Sequence, residues 1–415
     1  MKVAWRLTLV TVGGLLAWQI VSVGLARHYA GAAGGVQSPD PEAALVWDSR
    51  QTSALIEQAL GQAESEPETA AATVRQALRG DPTSAEALML LASLEPDVEA
   101  SDTLVATALK VSPSNPETLK QAGVHWLKRG DLPRAVDSFS RAMIAAPSQS
   151  QQLNPVFLKL LEDPQTRDLL VPLAKDPPPW WDRFFREVAT SAADLETVRS
   201  LFAMRKAESS VPLSEVERET YVERLRRDRQ YTEAYLTWVN GLDDVRRQSL
   251  GLLNNGSFEV EPSNRGYDWR LGKSPNLVAE TAETYGTEGK RALHLIFRGF
   301  DARFGHLSQD LFLDPGSYRL SGRARPDGLK SSGGLQWRVL CEASGESMVL
   351  AEGERFLGTS QWEDFTLDFA VPPGCERPIL GLVGAIRTPL DQRLDGSIWF
   401  DALSIRRVEP TPSQG

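Results

Sequence analysis

The sequence predicts a multidomain α and β protein with an N-terminal transmembrane helix, an α-solenoid of helical hairpins and a C-terminal antiparallel β-sandwich. Three observations predict this order. Residues 7–26 form an apolar run without charge, residues 47–250 follow helical periodicity, and from residue 253 apolar and polar residues alternate. The chain has 415 residues, a length that suits two or three domains.

The composition limits the classes of function. With 41% hydrophobic and 24% charged residues, the chain is typical of folded globular proteins. The formal net charge of -10 argues against nucleic-acid binding through the phosphates. The sequence holds neither a His-x-x-x-His or Cys-x-x-Cys metal motif nor a Gly-x-Ser-x-Gly elbow. We therefore expect a protein that is not an enzyme.

The N-terminal segment predicts the compartment. The run at 7–26 has the length that a bilayer-spanning helix requires, and Lys2 and Arg6 before it favour a cytoplasmic N-terminus. We expect a transmembrane anchor over 1–30 and a flexible linker over 31–46. The alternative is a cleaved secretory signal, because "AGA" at 30–32 is similar to a cleavage site. Under both interpretations the rest of the chain is exported from the cytoplasm.

The helical region contains a repeat. Pro82, Pro113 and Pro147 recur at close to the 34-residue period of tetratricopeptide repeats, and the segment 116–147 resembles that family. Its matching residues are Leu119, Ala122, Gly123 and Trp126 in the first helix, Gly130-Asp131 at the turn, and Ala135, Phe139 and Ala142 in the second helix. Two earlier units cover about 52–82 and 85–113. The resemblance implies a solenoid over 47–250 whose concave face binds a protein partner.

Other helices are predicted outside the repeat. Ser214 and Glu217 have the spacing of a capping box, which would begin a further hairpin at 217–242. Between the repeat and this hairpin, an aromatic cluster of Trp180, Trp181, Phe184 and Phe185 follows a proline run. This cluster is either core between repeats or an exposed docking patch.

The C-terminal region, 252–408, contains short strand candidates bounded by Gly, Pro and Asp, which is typical of a β-sandwich or jelly roll. Leu293, Leu295 and Phe297 share one face of a strand. By the same alternation Trp337 is expected in the core, and either Trp399 or Phe400 must be buried. Residues 409–415 are expected to be a disordered tail.

Three segments of this region resemble carbohydrate-binding, galactose-binding-like jelly rolls: "NGSFE" (255–259), "GTEGKRALHL" (286–295) and "IWFDALSIRRV" (398–408). The whole arrangement is similar to membrane-anchored tetratricopeptide proteins of bacterial exopolysaccharide synthesis and export. That resemblance implies a single-pass protein of the bacterial inner membrane whose bulk is periplasmic. Its expected partners are a polysaccharide, a protein and the membrane, with no nucleic acid.

Glycan binding requires aromatic faces for the sugar rings and polar side chains for their hydroxyl groups. Further aromatic candidates are Tyr285, Phe304 and Trp362, and the alternative for every ring is a place in the core. The predicted glycan-binding residues are Tyr267, Asp268, Trp269, Arg298, Asp301, Arg303, Gln336 and Arg338.

The jelly-roll resemblance also implies a structural calcium ion, with Glu259 and Asp401 as oxygen ligands. The alternative is a pair of strand-end carboxylates in water. Cys341 and Cys375 are expected to form a disulfide in an oxidising compartment, or else to be two buried free thiols.

These observations together predict a non-catalytic envelope scaffold for exopolysaccharide synthesis or export. One alternative is a pure protein–protein interaction scaffold with a structural β-sandwich. The other is a glycoside hydrolase or lyase accessory protein, which would need two facing carboxylates.

Overall fold

The structure is a computed structural model that describes residues 2–31, 40–208, 211–301, 304–385 and 393–409. The chain folds into two compact units. The first comprises 1–184 with 207–211, and the second comprises 185–206 with 212–415. The described residues form fifteen α-helices and two antiparallel β-sheets. The helices are α1 Lys2–Tyr29, α2 Pro41–Trp47, α3 Thr52–Gln62, α4 Pro67–Gly80, α5 Ala85–Leu94, α6 Val98–Val111, α7 Pro116–Lys128, α8 Leu132–Ala145, α9 Ser150–Glu162, α10 Val171–Lys175, α11 Trp181–Ser191, α12 Leu195–Glu208, α13 Glu215–Arg227, α14 Tyr231–Asn240 and α15 Asp244–Gln248.

The N-terminal segment forms the helix α1. Among the residues that the structure describes, none of the helices combines the length and the apolarity that a membrane crossing requires. This finding does not support the predicted anchor at 1–30. The predicted linker at 31–46 includes most of α2, which Asp40 caps by accepting a hydrogen bond from the Ala43 N–H, while 32–39 lie outside the described residues.

Three consecutive hairpins, α3–α4, α5–α6 and α7–α8, follow the predicted repeat units. In the third, the Asn115 side chain caps α7 and the Asp131 side chain caps α8. Gly130 makes the turn between them with φ of +74°. At the helix crossing Gly123 faces Phe139, and a Cβ on Gly123 would lie 2.4 Å from two atoms of that ring. The alternation of small and large residues therefore reflects close packing of two helices.

The aromatic cluster after the repeat belongs to the core. Trp180, Trp181, Phe184 and Phe185 are all buried. In the first unit Phe157 of α9 lies against Trp180 and Phe184, with ring centroids 5.1 and 5.9 Å apart. The interpretation as core, rather than as an exposed docking patch, is confirmed.

The second unit contains a β-sandwich of two five-stranded sheets. The first sheet has the strand order β1-β4-β9-β6-β7 and the second has β2-β3-β10-β5-β8. The strands are β1 Arg270–Leu271, β2 Leu277–Glu283, β3 Arg291–Asp301, β4 Leu307–Asp310, β5 Gly316–Lys330, β6 Leu335–Ala343, β7 Glu346–Phe356, β8 Glu363–Val371, β9 Arg377–Gly384 and β10 Arg393–Arg407. The predicted strand-rich region from about 252 is thus observed. Of the predicted tail at 409–415, residues 410–415 lie outside the described part of the chain.

The sandwich core has the residues that alternation predicts. Leu293, Leu295 and Phe297 of β3 point inward, as does Trp337 of β6. Phe400 is the buried member of the pair in β10, whereas Trp399 lies on the outer side of the second sheet. Cys341 of β6 forms the predicted disulfide with Cys375.

The hairpin α13–α14 packs against this sandwich within the second unit. Tyr235 stacks on Phe312 with ring centroids 4.3 Å apart, and the Tyr267 hydroxyl donates to the Tyr231 carbonyl over 2.8 Å. Asp310 of β4 accepts hydrogen bonds from Arg226 of α13 and from Arg377 of β9. The sequence predicts a boundary between solenoid and sandwich near 250, but these contacts join helices before that point to residues of the sandwich after it.

Candidate functional site

The outer face of the second sheet carries a row of polar and aromatic side chains. Glu280 of β2 lies opposite His294 of β3, which lies opposite Trp399 of β10, which lies opposite Arg325 of β5. We call these four residues the cross-sheet row. They share one face because each strand turns its alternate, apolar residues into the core. Register therefore assembles the row from four separate stretches of sequence.

The two rings of the cross-sheet row stack on each other. The imidazole of His294 and the indole of Trp399 are 3.7 Å apart and 7° from parallel. Both side chains are half-buried. Since each ring covers a face of the other, those two faces are not open to a sugar.

Arg325 is the most enclosed member of the cross-sheet row, with 8% of its surface exposed. Its guanidinium carbon lies 4.4 Å from the ring centroid of Tyr285 and 5.2 Å from those of Trp362 and Trp399. Nη2 donates to the Thr284 hydroxyl over 2.9 Å. Nη1 is buried and has no hydrogen-bond partner among the described residues.

Hydrogen bonds hold the loop after β2 over the Arg325 end of the cross-sheet row. The Trp362 indole N–H donates to the Tyr285 carbonyl, and Arg323 donates to the Gly286 carbonyl, each over 2.8 Å. Gly286 has φ of +76°, and a Cβ there would lie 2.9 Å from the Trp362 ring. These contacts hold the backbone of Tyr285 while 67% of that residue stays exposed. Tyr285 thus offers the open aromatic surface of the face.

The imidazole of the row favours its neutral form. Burial lowers the pKa of His294, and the positive charge of Arg325 lowers this pKa further. Glu280, with Oε1 3.5 Å from Nδ1, opposes the shift without cancelling it. At neutral pH His294 can therefore offer hydrogen bonds without adding a second positive charge beside Arg325.

Three of the predicted glycan-binding residues lie in the interior. Trp269 is fully buried and donates its indole N–H to the Asn255 carbonyl. Tyr267 is buried, with its hydroxyl bonded to the first residue of α14. Asp268 is buried and accepts hydrogen bonds from the Ser263 and Trp269 N–H groups. Because these side chains are used inside the protein, they are not part of an exposed binding surface.

The other predicted residues lie at several places. Gln336 is buried in β6, and Arg338 on the same strand forms an ion pair with Glu352 of 2.6 Å. Arg298 is exposed on β3 four residues after His294, on the same side of the strand. Asp301 ends β3 but its side chain, like the whole of Arg303, lies outside the described residues.

Of the eight predicted glycan-binding residues, Arg298 is therefore the one that the described structure places on the face of the cross-sheet row. Of the further aromatic candidates, Tyr285 and Trp362 lie at the Arg325 end of the row, whereas Phe304 is buried. Sequence reasoning missed His294, Trp399 and Arg325 as a group. The alternation in β3 and β10 places His294 and Trp399 outward, but only strand register brings them beside Arg325.

Glu259 and Asp401, the predicted calcium ligands, bind the same loop from two positions. Glu259 Oε1 accepts hydrogen bonds from the Lys290 and Arg291 N–H groups over 2.7 and 3.0 Å. Asp401 is buried and accepts from the Glu288 and Ala402 N–H groups. Burial raises the pKa of Asp401.

The donors around these two carboxylates are backbone N–H groups, which satisfy carboxylate oxygens without a cation. No group of three or more potential ligands that could hold a metal ion is found among the described residues. The arrangement therefore fits loop anchoring better than a calcium cage of six to eight oxygens. A calcium ion at Glu259 and Asp401 stays a prediction.

The first unit has a separate groove of about 510 Å³ along the first helices of its three hairpins. Leu60 of α3, Met89 of α5 and Val124 of α7 contribute apolar surface. Lys120 and Lys128 add positive charge at the α7 side. An apolar floor with a charged border suits a peptide segment.

No family model matches the sequence, and no curated protein is matched by it. Among solved structures, the modules of xylanase 10B from Clostridium thermocellum are 16% identical with a TM-score of 0.28, over 37% of this chain and 28% of that one. The xylan-binding domain of Xyn10C from Paenibacillus barcinonensis is 14% identical with a TM-score of 0.27, over 38% and 94%. The pilF protein of Pseudomonas aeruginosa is 18% identical with a TM-score of 0.26, over 50% and 84%.

This chain thus spans about a quarter of the length of the xylanase structure, whose matched share is 28%. With TM-scores this low, the architecture of each unit is established by its own helices and strands. The chain is similar in part to carbohydrate-binding modules and in part to tetratricopeptide-like proteins.

Proposed function

We propose that this protein is a non-catalytic scaffold that binds a glycan on the outer face of the second sheet and a protein segment in the groove of the first unit. The observation that carries the glycan proposal is Tyr285. Its ring is largely exposed beside Trp362 and lies 4.4 Å from the guanidinium carbon of Arg325, at one end of the cross-sheet row whose other members add further polar groups. An aromatic surface next to hydrogen-bonding groups is what a pyranose ring requires.

The proposal includes no chemical step. The cross-sheet row itself contributes one carboxylate, Glu280, and that carboxylate is next to an imidazole. Glycoside cleavage uses a pair of carboxyl groups on either side of the scissile bond. Binding without turnover is therefore the function that this row supports best.

We further propose that the chain acts outside the cytoplasm, in exopolysaccharide synthesis or export. The Cys341–Cys375 disulfide supports an oxidising compartment. Thiol trapping in intact cells tests this part. The two cysteines should resist a maleimide reagent until reductant is added, and free thiols in growing cells would contradict it.

A polysaccharide panel tests the glycan proposal. The purified full chain should be retarded in affinity electrophoresis by at least one polysaccharide. The Tyr285→Ala/Trp362→Ala variant should bind about tenfold more weakly, since two aromatic contacts of about 0.5–1.5 kcal/mol each are removed. Met348→Ala removes an exposed apolar side chain from the first sheet and is the matched control.

The competing function is a pure protein-interaction scaffold with a structural sandwich. The groove of the first unit supports it, because a protein partner there needs no glycan. If every polysaccharide in the panel leaves the mobility of the full chain unchanged, this second function is the one that stands.

A further inference from the structure

The guanidinium of Arg325 is a buried charge without a charged partner among the described residues. Asp327, two residues further along β5, is exposed and forms no ion pair with Arg325 in the described part of the chain, and two other carboxylates of this sheet are engaged with other groups. Glu280 pairs with His294 at 3.5 Å, and Asp364 pairs with Arg323 at 3.4 Å. The guanidinium donates a hydrogen bond from Nη2 to the hydroxyl of Thr284, which is a neutral acceptor.

Cation–π contacts with three rings replace part of the solvent around the guanidinium. Buried charges in proteins are usually also paired with an opposite charge, and among the described residues Arg325 is not. Arg325 has 8% of its surface exposed, and its Nη1 makes no hydrogen bond within the part of the chain that the structure describes. This nitrogen is a donor without an acceptor on the face proposed to bind a glycan.

The cover over this donor can move without unfolding the sheet. Trp399 lies in the middle of β10, and the indole N–H of Trp362 is bonded to the Tyr285 carbonyl. The Tyr285 ring, in contrast, projects from a loop and is mostly exposed. Rotation of that side chain would break its cation–π contact with Arg325 and open one side of the guanidinium, while Trp362 and Trp399 stay in place.

We propose that the glycan bound on this face is an acidic polysaccharide, with the carboxylate of a uronate residue bound by Arg325 and the Tyr285 ring packed on the same sugar. This inference rests on the proposed function and names its ligand class. A guanidinium fork matches a planar carboxylate through two parallel hydrogen bonds, which neither a hydroxyl nor an ester can accept in the same way. The carboxylate supplies the charge that Arg325 lacks.

The net charge of the chain argues against non-specific attraction of acidic polymers. The chain has a formal charge of -10, so it does not attract polyanions in general. Preference for an acidic polymer over its neutral form must therefore come from a local site.

The experiment compares each acidic polymer with its own ester on the full chain. Polygalacturonate and alginate, with their methyl and propylene-glycol esters, are titrated while tryptophan fluorescence is followed, because Trp362 and Trp399 flank the guanidinium. We expect at least one acidic polymer to bind tenfold or more tightly than its ester. Arg325→Gln should abolish that preference.

Arg319→Gln is the matched control. Arg319 lies on the same strand, is exposed, and is paired with Asp368 at 2.6 Å, so its loss removes the same charge without touching the row. The Arg319→Gln variant should prefer the acidic polymer as strongly as the unaltered chain does. If Arg325→Gln does not fold, Arg325→Lys keeps the charge but not the fork, and it should reduce the preference.

Each outcome decides between the two proposals. Equal binding of acid and ester overturns the acidic ligand but leaves glycan binding intact. Binding of neither acid nor ester overturns the acidic ligand, and glycan binding as such is overturned only if the whole polysaccharide panel also leaves the mobility of the chain unchanged. Dextran sulfate binding as tightly as the uronate polymers shows general polyanion binding and overturns the site at Arg325, as does an unchanged preference in the folded Arg325→Gln variant.

Discussion

Gly61 and Gly123 both lie inside helices of the first unit, yet their surroundings differ. A Cβ at Gly61 of α3 meets no atom within 4 Å, whereas one at Gly123 of α7 meets the Phe139 ring at 2.4 Å. The same substitution should therefore have opposite effects at the two positions.

We expect Gly123→Ala to destabilise the first unit by about 1–3 kcal/mol through overpacking. Gly61→Ala should stabilise it by about 0.5 kcal/mol through helix propensity. Urea unfolding followed by circular dichroism at 222 nm measures both. Equal shifts for the two variants would mean that the crossing at Phe139 is not closely packed.

The candidate site shows how much the sequence predicts at the level of single residues. Alternation in β10 requires either Trp399 or Phe400 to be in the core, and the structure buries Phe400. Trp269 lies beside a turn-forming segment, where either an exposed or a buried side chain fits the pattern. Trp269 is buried because it packs against two other rings. Trp337 is distant in sequence, and Phe258 has a positive φ, which is an unusual backbone conformation.

Among the elements, Glu233 joins three helices of the second unit. Its carboxylate accepts from Arg199 of α12 and from the Tyr221 hydroxyl of α13, each over 2.6 Å, while its own backbone is in α14. Burial acts to raise the pKa of Glu233, but the hydrogen bonds from Arg199 and Tyr221 outweigh it and hold this pKa below its usual value.

A lowered pKa in the folded state means that the carboxylate stabilises the fold when it is ionised. This contribution is present above the ordinary pKa of 4.5 and is lost as the pH falls through the lower folded value. Glu233→Gln should lower the free energy of unfolding at pH 7 by about 1 kcal/mol. The effect is this small because solvent partly screens the side chain. The difference in stability from the unaltered chain should shrink at an acidic pH below 4.5, as the carboxylate takes up its proton.

Urea unfolding at the two pH values measures this difference. Asp244→Asn is the control, because Asp244 is almost fully exposed and its closest pairing is 3.6 Å. A Glu233→Gln deficit that persists undiminished at low pH would contradict an ionic contribution.

The Cys341–Cys375 disulfide ties β6 to the segment before β9, across a sequence separation of 34 residues. A cross-link that closes a loop of this size stabilises the fold by about 3–4 kcal/mol, because it lowers the conformational entropy of the unfolded chain. Reductant should therefore lower the melting temperature of the sandwich. Cys341→Ala/Cys375→Ala should melt at the lower temperature with or without reductant, and a reductant effect that persists in this variant would assign it to something else.

At the scale of the whole molecule, tertiary packing divides the chain differently from the sequence pattern. The change from helical to alternating periodicity near 253 predicts a boundary there, because periodicity reports only local structure. In the folded chain, 185–206 and 212–250 belong to the same compact unit as the sandwich. Within the described residues, Tyr231 and Tyr235 contact loops of the sandwich and Arg226 contacts β4, and these contacts are the reason.

We therefore expect a fragment of 185–415 to melt with the sandwich transition of the full chain. A fragment of 252–415 should melt lower or aggregate, because it exposes Tyr267 and Phe312 where α14 covers them. Differential scanning calorimetry of the two fragments measures this. Equal melting temperatures would show that the sandwich is independent of the hairpin.

The sequence by itself determined the order of helical repeat and β-sandwich, the hairpins, the core faces of the strands and the cysteine pair. Each of these follows from a local period or from spacing along one segment. Only the tertiary structure decided that Glu280, His294, Trp399 and Arg325 form one row and that α13–α14 packs against the sandwich. Strand register and helix docking depend on contacts between distant segments, and no local period encodes which segments will meet.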